Sequence, residues 1–326
     1  MKYSFIFAML LFSCFIQVVA QTNSFEYVPV SPKKRTVQLP DFTVTLKDIY
    51  LTPPAAYKMP PKLFVLSDIE GEYDAFKKML FAAGVMDQQF NWTFGAGHLV
   101  LCGDMLDRGA HVAECLWLIY YLEDKAKASG GMVHYILGNH EQMNLNGDFR
   151  YVNPKYLELA KEAGVDYSQF YSNNTELGQW LRTKNIMEKI GNRLFLHGGV
   201  SHYINEAARS LVTINTTARQ YIDKSEDSLN DMASLILLDD GPLWYRGYIM
   251  EPLASKEQVD STLVLFNVNK IVVGHTLVPQ ITSFFGGKVV GIDVPHAKGF
   301  SEGLLIENKK QYRINLKGDR ILLPNK

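Results

Sequence analysis

The sequence predicts an α/β fold in which buried strands are flanked by helices and helical segments are inserted at one edge. Three observations predict it. Five short, largely apolar runs, 63–67, 99–102, 133–137, 194–196 and 271–273, lack the alternation of a half-exposed strand and therefore read as strands buried on both faces. Each leads straight into a loop that carries Gly together with Asp, Glu, Asn or His. The first two loops are followed by the amphipathic patterns 73–82 and 112–127, which makes them βαβ-type units. A strand that ends in this way delivers its polar residue to one edge of a sheet, where sites collect.

Taken from the start, residues 1–20 contain Lys2, an apolar stretch over 3–16 and then Gln17-Val18-Val19-Ala20. This is the pattern of a secretory signal peptide cleaved after Ala20, and its apolar run is shorter than the ~20 residues of a membrane span. The protein is therefore expected to be exported, periplasmic or extracellular, with no transmembrane span in the mature chain. Leu11-Phe12-Ser13-Cys14 offers the alternative of a lipid anchor at Cys14. Residues 21–61 are Pro-rich and read as an extended N-terminal arm lying on the domain. The main domain is expected over 62–326, with helical cap segments at about 153–189 and 203–238 that form a rim over the strand ends. Short strands return at 288–292, 303–307 and 311–316, the last two joined by a tight turn at Asn308-Lys309.

Composition narrows the function. In 326 residues, 47% hydrophobic and 21% charged content supports a large core rather than disorder. A formal net charge of −1 without a Lys/Arg cluster argues against a nucleic acid polymer as partner. Cys102 in a buried strand and Cys115 in the following helix are expected to be packed free thiols.

The five loops are Asp68-Ile69-Glu70-Gly71, Gly103-Asp104-Met105-Leu106-Asp107-Arg108-Gly109, Gly138-Asn139-His140-Glu141, His197-Gly198-Gly199 and Gly274-His275-Thr276. A pair of divalent ions needs a carboxylate that can bridge them, further oxygen ligands and imidazoles, and these loops supply all three. Asp104, in the middle of the set, is the natural bridge. Asp68 and Glu70 would complete one metal site; Asn139, His197 and His275 would complete the other. Taken singly, each residue has an ordinary reading as a turn, a cap or a core histidine; their joint order favours the metal centre.

This series resembles the calcineurin-like metallophosphoesterase superfamily, and within it the phosphoprotein phosphatase branch, in particular its Shewanella-like bacterial group. Pro242-Leu243-Trp244-Tyr245-Arg246-Gly247-Tyr248 resembles the arginine-bearing loop of that group. The resemblance implies a β-sandwich with flanking helices in four α-β-β-α layers. It also implies a phosphatase that hydrolyses phosphate monoesters, of protein or small molecules, by in-line attack of a hydroxide bridging two divalent ions. Asp68, Asp104, Asn139, His197 and His275 would be metal ligands, His140 the general acid, Asp107 its orienting carboxylate, and Arg108 and Arg246 the grip on the phosphoryl group.

One departure matters: the family's first motif is Asp-x-His, whereas the third position here is Glu70. Glutamate still binds divalent ions, but it lowers the net charge of the centre by one, which favours Mn²⁺ or Mg²⁺ over Zn²⁺ or iron in that site. A second departure, Leu277 after His275-Thr276, favours the phosphoprotein branch over nuclease and nucleotidase branches. Two other functions compete. One is a nucleotide hydrolase resembling the diadenosine tetraphosphate hydrolases, against which the Tyr245-Arg246 loop weighs. The other is a non-catalytic metal- or phosphate-binding protein, against which the pairing of His140 with Asp107 weighs. Glu141 is expected to hold a neighbouring loop, and His296 to be an exposed loop residue. His98, His111, His134 and His202 are expected to be structural or solvent-facing.

Overall fold

The structure is a computed structural model that describes residues 35–324. The signal peptide and Cys14 lie outside the described residues. Two six-stranded mixed sheets dominate. In spatial order, the first contains Arg320–Leu322, Lys310–Asn315, Glu302–Glu307, Lys62–Leu66, His98–Cys102 and Met132–Ile136. The second contains Thr282–Phe284, Val289–Gly291, Lys270–Val273, Arg193–Leu196, Met187–Ile190 and Ala56–Tyr57.

The uninterrupted apolar runs have a simple cause: both faces of each central strand are covered. Leu63 and Val65 point into a core between the sheets with Val100, Phe195 and Val272, while Phe64 and Leu66 join a second core under the helices. Phe195 faces the inner core and its neighbours Leu194 and Leu196 the outer one, so the period of two persists with both classes apolar. The result is two sheets packed face to face with helices outside them, as the four-layer expectation required. Cys102 and Cys115 are buried free thiols.

The helix Tyr73–Ala82 falls where its periodicity placed it, and Val112–Ala128 runs one residue further than expected. Side-chain caps set many of the remaining helix starts: Asn153, Thr175, Ser201, Ser210, Asn230 and Ser255 each accept a hydrogen bond from the first turn.

Three features differ from the sequence reading. The N-terminal arm contributes Ala56–Tyr57 as an edge strand, paired parallel to Met187–Ile190. That second strand lies at the end of what reads as a helical cap segment. Glu188 disguises it: the side chain is buried, and its carboxylate meets His134 Nδ1 at 2.6 Å, so a charged residue sits where a strand pattern calls for an apolar one. In the second helical segment, Leu211–Tyr221 packs on the Met187–Ile190 strand rather than forming a rim. Its buried Asn215 accepts hydrogen bonds from Ile186 N and Met187 N at 2.8 and 3.1 Å.

Candidate metal centre

Lys62–Leu66, His98–Cys102 and Met132–Ile136 run parallel in one sheet, and Arg193–Leu196 runs parallel to Lys270–Val273 in the other. Their loops therefore emerge at common edges and interlock. Asp68 N donates to Gly103 O (3.0 Å), Glu70 N to Asp104 O (2.9 Å), and Gly274 N to His197 O (2.8 Å). Side chains close the gap between sheets: His197 Nδ1 lies 2.7 Å from Cys102 O, and the His275 amide donates to the Asp68 carboxylate.

The loops pay for this convergence with backbone strain. Asp68, Glu70, Asp104, Asp107, Arg108 and His275 all have positive φ, between 47° and 70°. Left-handed geometry in non-glycine residues costs on the order of 1–3 kcal/mol each and persists where surrounding structure enforces it. Gly103, at φ +85°, is needed for a further reason: a Cβ there would lie 2.6 Å from the Gly138 backbone.

Glu141 provides much of the enforcement. Its fully buried carboxylate accepts from Asp104 N and Met105 N at 2.8 Å, Leu106 N at 3.2 Å, Gly138 N at 2.6 Å and Tyr135 Oη at 3.0 Å. Burial and the nearby Asp104 charge push its pKa up, while these donors favour the ionised form. Holding a neighbouring loop is thus its structural role.

Around His197, acceptors face one another. With Nδ1–H donating to Cys102 O, Nε2 carries a lone pair, and Asp104 Oδ2 (3.0 Å), Asn139 Oδ1 (2.9 Å) and His275 Nδ1 (3.1 Å) converge on it. His275 is arranged likewise, its Nε2 lying 2.9 Å from Trp244 O and leaving Nδ1 free to act as a ligand. Imidazoles oriented by carbonyls and turned toward a carboxylate and an amide oxygen fit a divalent cation. Asp104, His197 and His275 bring ligand atoms within 4.8 Å of one another, as do Glu70, Asp104 and His140, so Asp104 belongs to both groups.

The charges confirm how strongly these groups interact. Burial opposes ionisation of His197, yet without an ion Asp104 and Asp68 favour a proton on its Nε2 and raise its pKa to about 10; a divalent cation would take the place of that proton. Burial raises Asp68 to about 6, against the influence of His197. Burial also works against Asp104, but His197 and His140 hold its carboxyl well below the usual range.

His140 Nδ1 lies 2.6 Å from Asp107 Oδ2, which leaves Nε2 toward the cluster, 3.8 Å from Asp104 Oδ2. Asp107 is itself fixed, since Asn144 Nδ2 donates to it at 2.7 Å and Tyr167 Oη donates to Asn144 at 2.8 Å. Burial would lower the His140 pKa, but Asp104 and Asp107 together raise it.

A cavity of about 310 Å³ opens above these groups, lined by Asp68, Glu70, Asp104, Arg108, His140, Arg246 and His275. Asn139 and His197 are buried beneath it, and Asp107 lies behind His140. All ten residues singled out from the sequence are therefore in one place. Arg108 is ion-paired with Glu70 and lies over the Tyr151 ring, and Arg246 donates to the His275 carbonyl.

Two lining residues were missed. His296 is buried, not exposed: its Nδ1 is 2.9 Å from Ser301 Oγ, its Nε2 has no partner, and burial lowers its pKa to about 4. Asp293 is also buried, and burial together with Asp68 raises its pKa to about 9. Asp293 directly follows the expected strand at 288–292, so the signal that found the other loops was present there and went unused; His296 lies three residues further on, in a 3₁₀ turn without a local pattern.

Two sheets with flanking helices and these interlocked acidic and imidazole loops define a metal-dependent phosphoester hydrolase, and the chain belongs to the calcineurin-like phosphoesterase family, whose model matches residues 61–279. Among solved structures, it is similar to a cold-active protein-tyrosine phosphatase of a psychrophilic Shewanella species. The two share 38% identity over 90% of this chain and 91% of that one, with a TM-score of 0.85. It is also similar to Shewanella-like protein phosphatase 1 of Plasmodium berghei, at 30% identity over 71% of this chain and 66% of that protein. An uncharacterized protein of Schizosaccharomyces pombe is 32% identical over 73% of this chain and 74% of its own length.

Proposed function

We propose that this protein is an exported phosphomonoesterase that uses two divalent ions, with Mn²⁺ favoured, to release phosphate from phosphorylated protein. The observation that carries the chemistry is the acceptor cluster around Asp104 beside the His140–Asp107 pair. Two bound ions would polarise the phosphoryl oxygens and supply a nucleophile at neutral pH. Metal ligands are assigned as Asp68, Glu70, Asp104, Asn139, His197 and His275. His140, protonated through the influence of Asp104 and Asp107, is positioned to give its Nε2 proton to the leaving alcohol. Asp107 holds the tautomer by accepting from Nδ1. Arg108 and Arg246, on the cavity wall, suit the phosphoryl oxygens, which guanidinium groups bind in pairs.

Phosphorylated protein as substrate is supported by the names of the similar phosphatases and by an open cavity with exposed Leu277 at its rim, able to receive a side chain from an extended segment. Export rests on the first twenty residues of the sequence. The test is phosphate release from p-nitrophenyl phosphate, a phosphopeptide panel and diadenosine tetraphosphate, by metal-stripped protein reloaded separately with Mn²⁺, Mg²⁺ or Zn²⁺. Metal-dependent turnover led by phosphopeptides supports the proposal. Turnover led by the dinucleotide would move the substrate class to nucleotides.

A further inference from the structure

One more strand reaches the edge at which the metal-binding loops collect. Val289–Gly291 runs parallel to Lys270–Val273 in the second sheet, with Val290 level with Val272 and Gly291 level with Val273. The pairing continues past both strands, since Ile292 N donates to Val273 O at 2.8 Å. Two residues beyond Val273 stands His275, and two beyond Gly291 stands Asp293. The backbone then ties the two loops together, Val278 N donating to Asp293 O at 2.8 Å. Asp293 is thus brought to the site by the neighbour of the strand that brings His275.

Asp293 is 8% exposed and lines the cavity with Asp68, Glu70, Asp104 and Arg246. Among the described residues, no group donates a hydrogen bond to its carboxylate or forms an ion pair with it. The other buried carboxylates behind this cavity are accompanied: Glu141 accepts from backbone amides, and Asp107 meets His140 and Asn144. After its burial, the strongest influences on the charge of Asp293 come from Asp68, His197 and Asp104, three of the assigned ligands. A carboxylate held in such a place is costly unless a cation accompanies it.

The two ligand sets assigned above are unequal. Besides Asp104, the ion on the His275 side would have Asn139 and two imidazoles, whereas the other would have only Asp68 and Glu70. Hard divalent ions collect oxygen donors, about six for Mg²⁺. Asp68, Glu70 and Asp104 also bring three negative charges against the four positive charges of two divalent ions, and Asp293 brings a fourth.

We propose that Asp293 is a further carboxylate ligand of the metal centre, binding the ion held by Asp68 and Glu70. This rests on the two-ion reading given under the proposed function. It makes the centre a six-loop device, in which each sheet supplies carboxylate to the same ion.

The test is Mn²⁺ titration by calorimetry of the metal-stripped full chain, parent against Asp293→Asn, which keeps the shape of the side chain. The parent should bind two ions. Asp293→Asn should keep one of them at the parental affinity and weaken the other at least about tenfold, since removing even an outer partner of a metal ligand costs about 10–100-fold. Two ions bound by Asp293→Asn at parental affinities overturn the proposal and leave the two-ion centre standing. A parent that binds no ion overturns the two-ion reading, and the role of Asp293 with it. Anomalous diffraction from parent crystals grown with Mn²⁺ needs no variant and decides if Asp293→Asn does not fold. A peak in coordination range of both Asp68 and Asp293 is expected, and two peaks that both lie out of range of Asp293 overturn the proposal.

Discussion

Replacing Glu141 with glutamine changes one atom of the side chain and tests how the metal-binding loops are held. In the native site, Oε2 accepts from Asp104 N and Gly138 N, and Oε1 accepts from Met105 N, Leu106 N and Tyr135 Oη. Glutamine keeps one oxygen and puts an NH₂ group in place of the other. Whichever way the amide turns, at least two buried donors then face a donor. At about 1–3 kcal/mol for each unsatisfied group, the cost is about 2–6 kcal/mol, a large share of the about 5–15 kcal/mol that stabilises a typical protein. In either orientation the loss falls on the loop that carries Asp104, so divalent-ion affinity should drop as well. Urea unfolding of the metal-free protein should show the destabilisation, and Mn²⁺ titration should show at least about tenfold weaker binding. A Glu141→Gln protein within about 0.5 kcal/mol of the parent, with unchanged Mn²⁺ affinity, would refute the reasoning.

Removing the proposed general acid with His140→Ala should lower kcat on an alkyl phosphate by about 10²–10⁴-fold while the number of bound metal ions stays the same; kinetics paired with metal analysis checks both. Asp107→Asn should move the fall of kcat at high pH to lower pH, because it removes the carboxylate that sustains the His140 proton; a pH–rate profile on the same substrate checks it. Glu70→His should shift metal preference from Mn²⁺ or Mg²⁺ toward Zn²⁺ and free Arg108 from its ion pair, and an unchanged order of affinities across the three ions would count against the charge argument. His296 is neutral in the fold down to about pH 4, whereas the unfolded chain takes up its proton near 6.5. The unfolded state therefore binds more protons between those values, so its contribution to stability is complete above about pH 6.5 and falls by up to about 3 kcal/mol as pH drops toward 4. Denaturant unfolding of the parent and His296→Asn across that window should show a shallower fall in the variant.

The central strands and their loops were legible because a strand buried on both faces leaves an apolar run, and because Gly and Asp end it abruptly. Asp104, Asn139, His197 and His275 could thus be gathered into one site from order alone. Backbone strain was invisible: nothing in Asp68, Glu70 or Arg108 as residue types signals the left-handed geometry that interlocks their loops. Short or disguised strands were also hidden. Ala56–Tyr57 is two residues long, and Met187–Ile190 carries a buried Glu188 whose partner His134 lies in the other sheet. His296 reads as exposed for a related reason, since its burial comes from a turn of 3₁₀ helix over 296–298 packed beside the cavity and not from any local pattern. The pairing of Glu70 with Arg108 depends on two loops meeting, which spacing along the chain does not report.

The central claim is that the loops around Asp104 form a centre for two metal ions. Anomalous diffraction from crystals grown with Mn²⁺ tests it most directly. The account predicts two peaks per chain, both in coordination range of Asp104, one shared with Asp68 and Glu70 and the other with Asn139, His197 and His275. A single peak, or peaks that leave Asp104 without a metal contact, would contradict it.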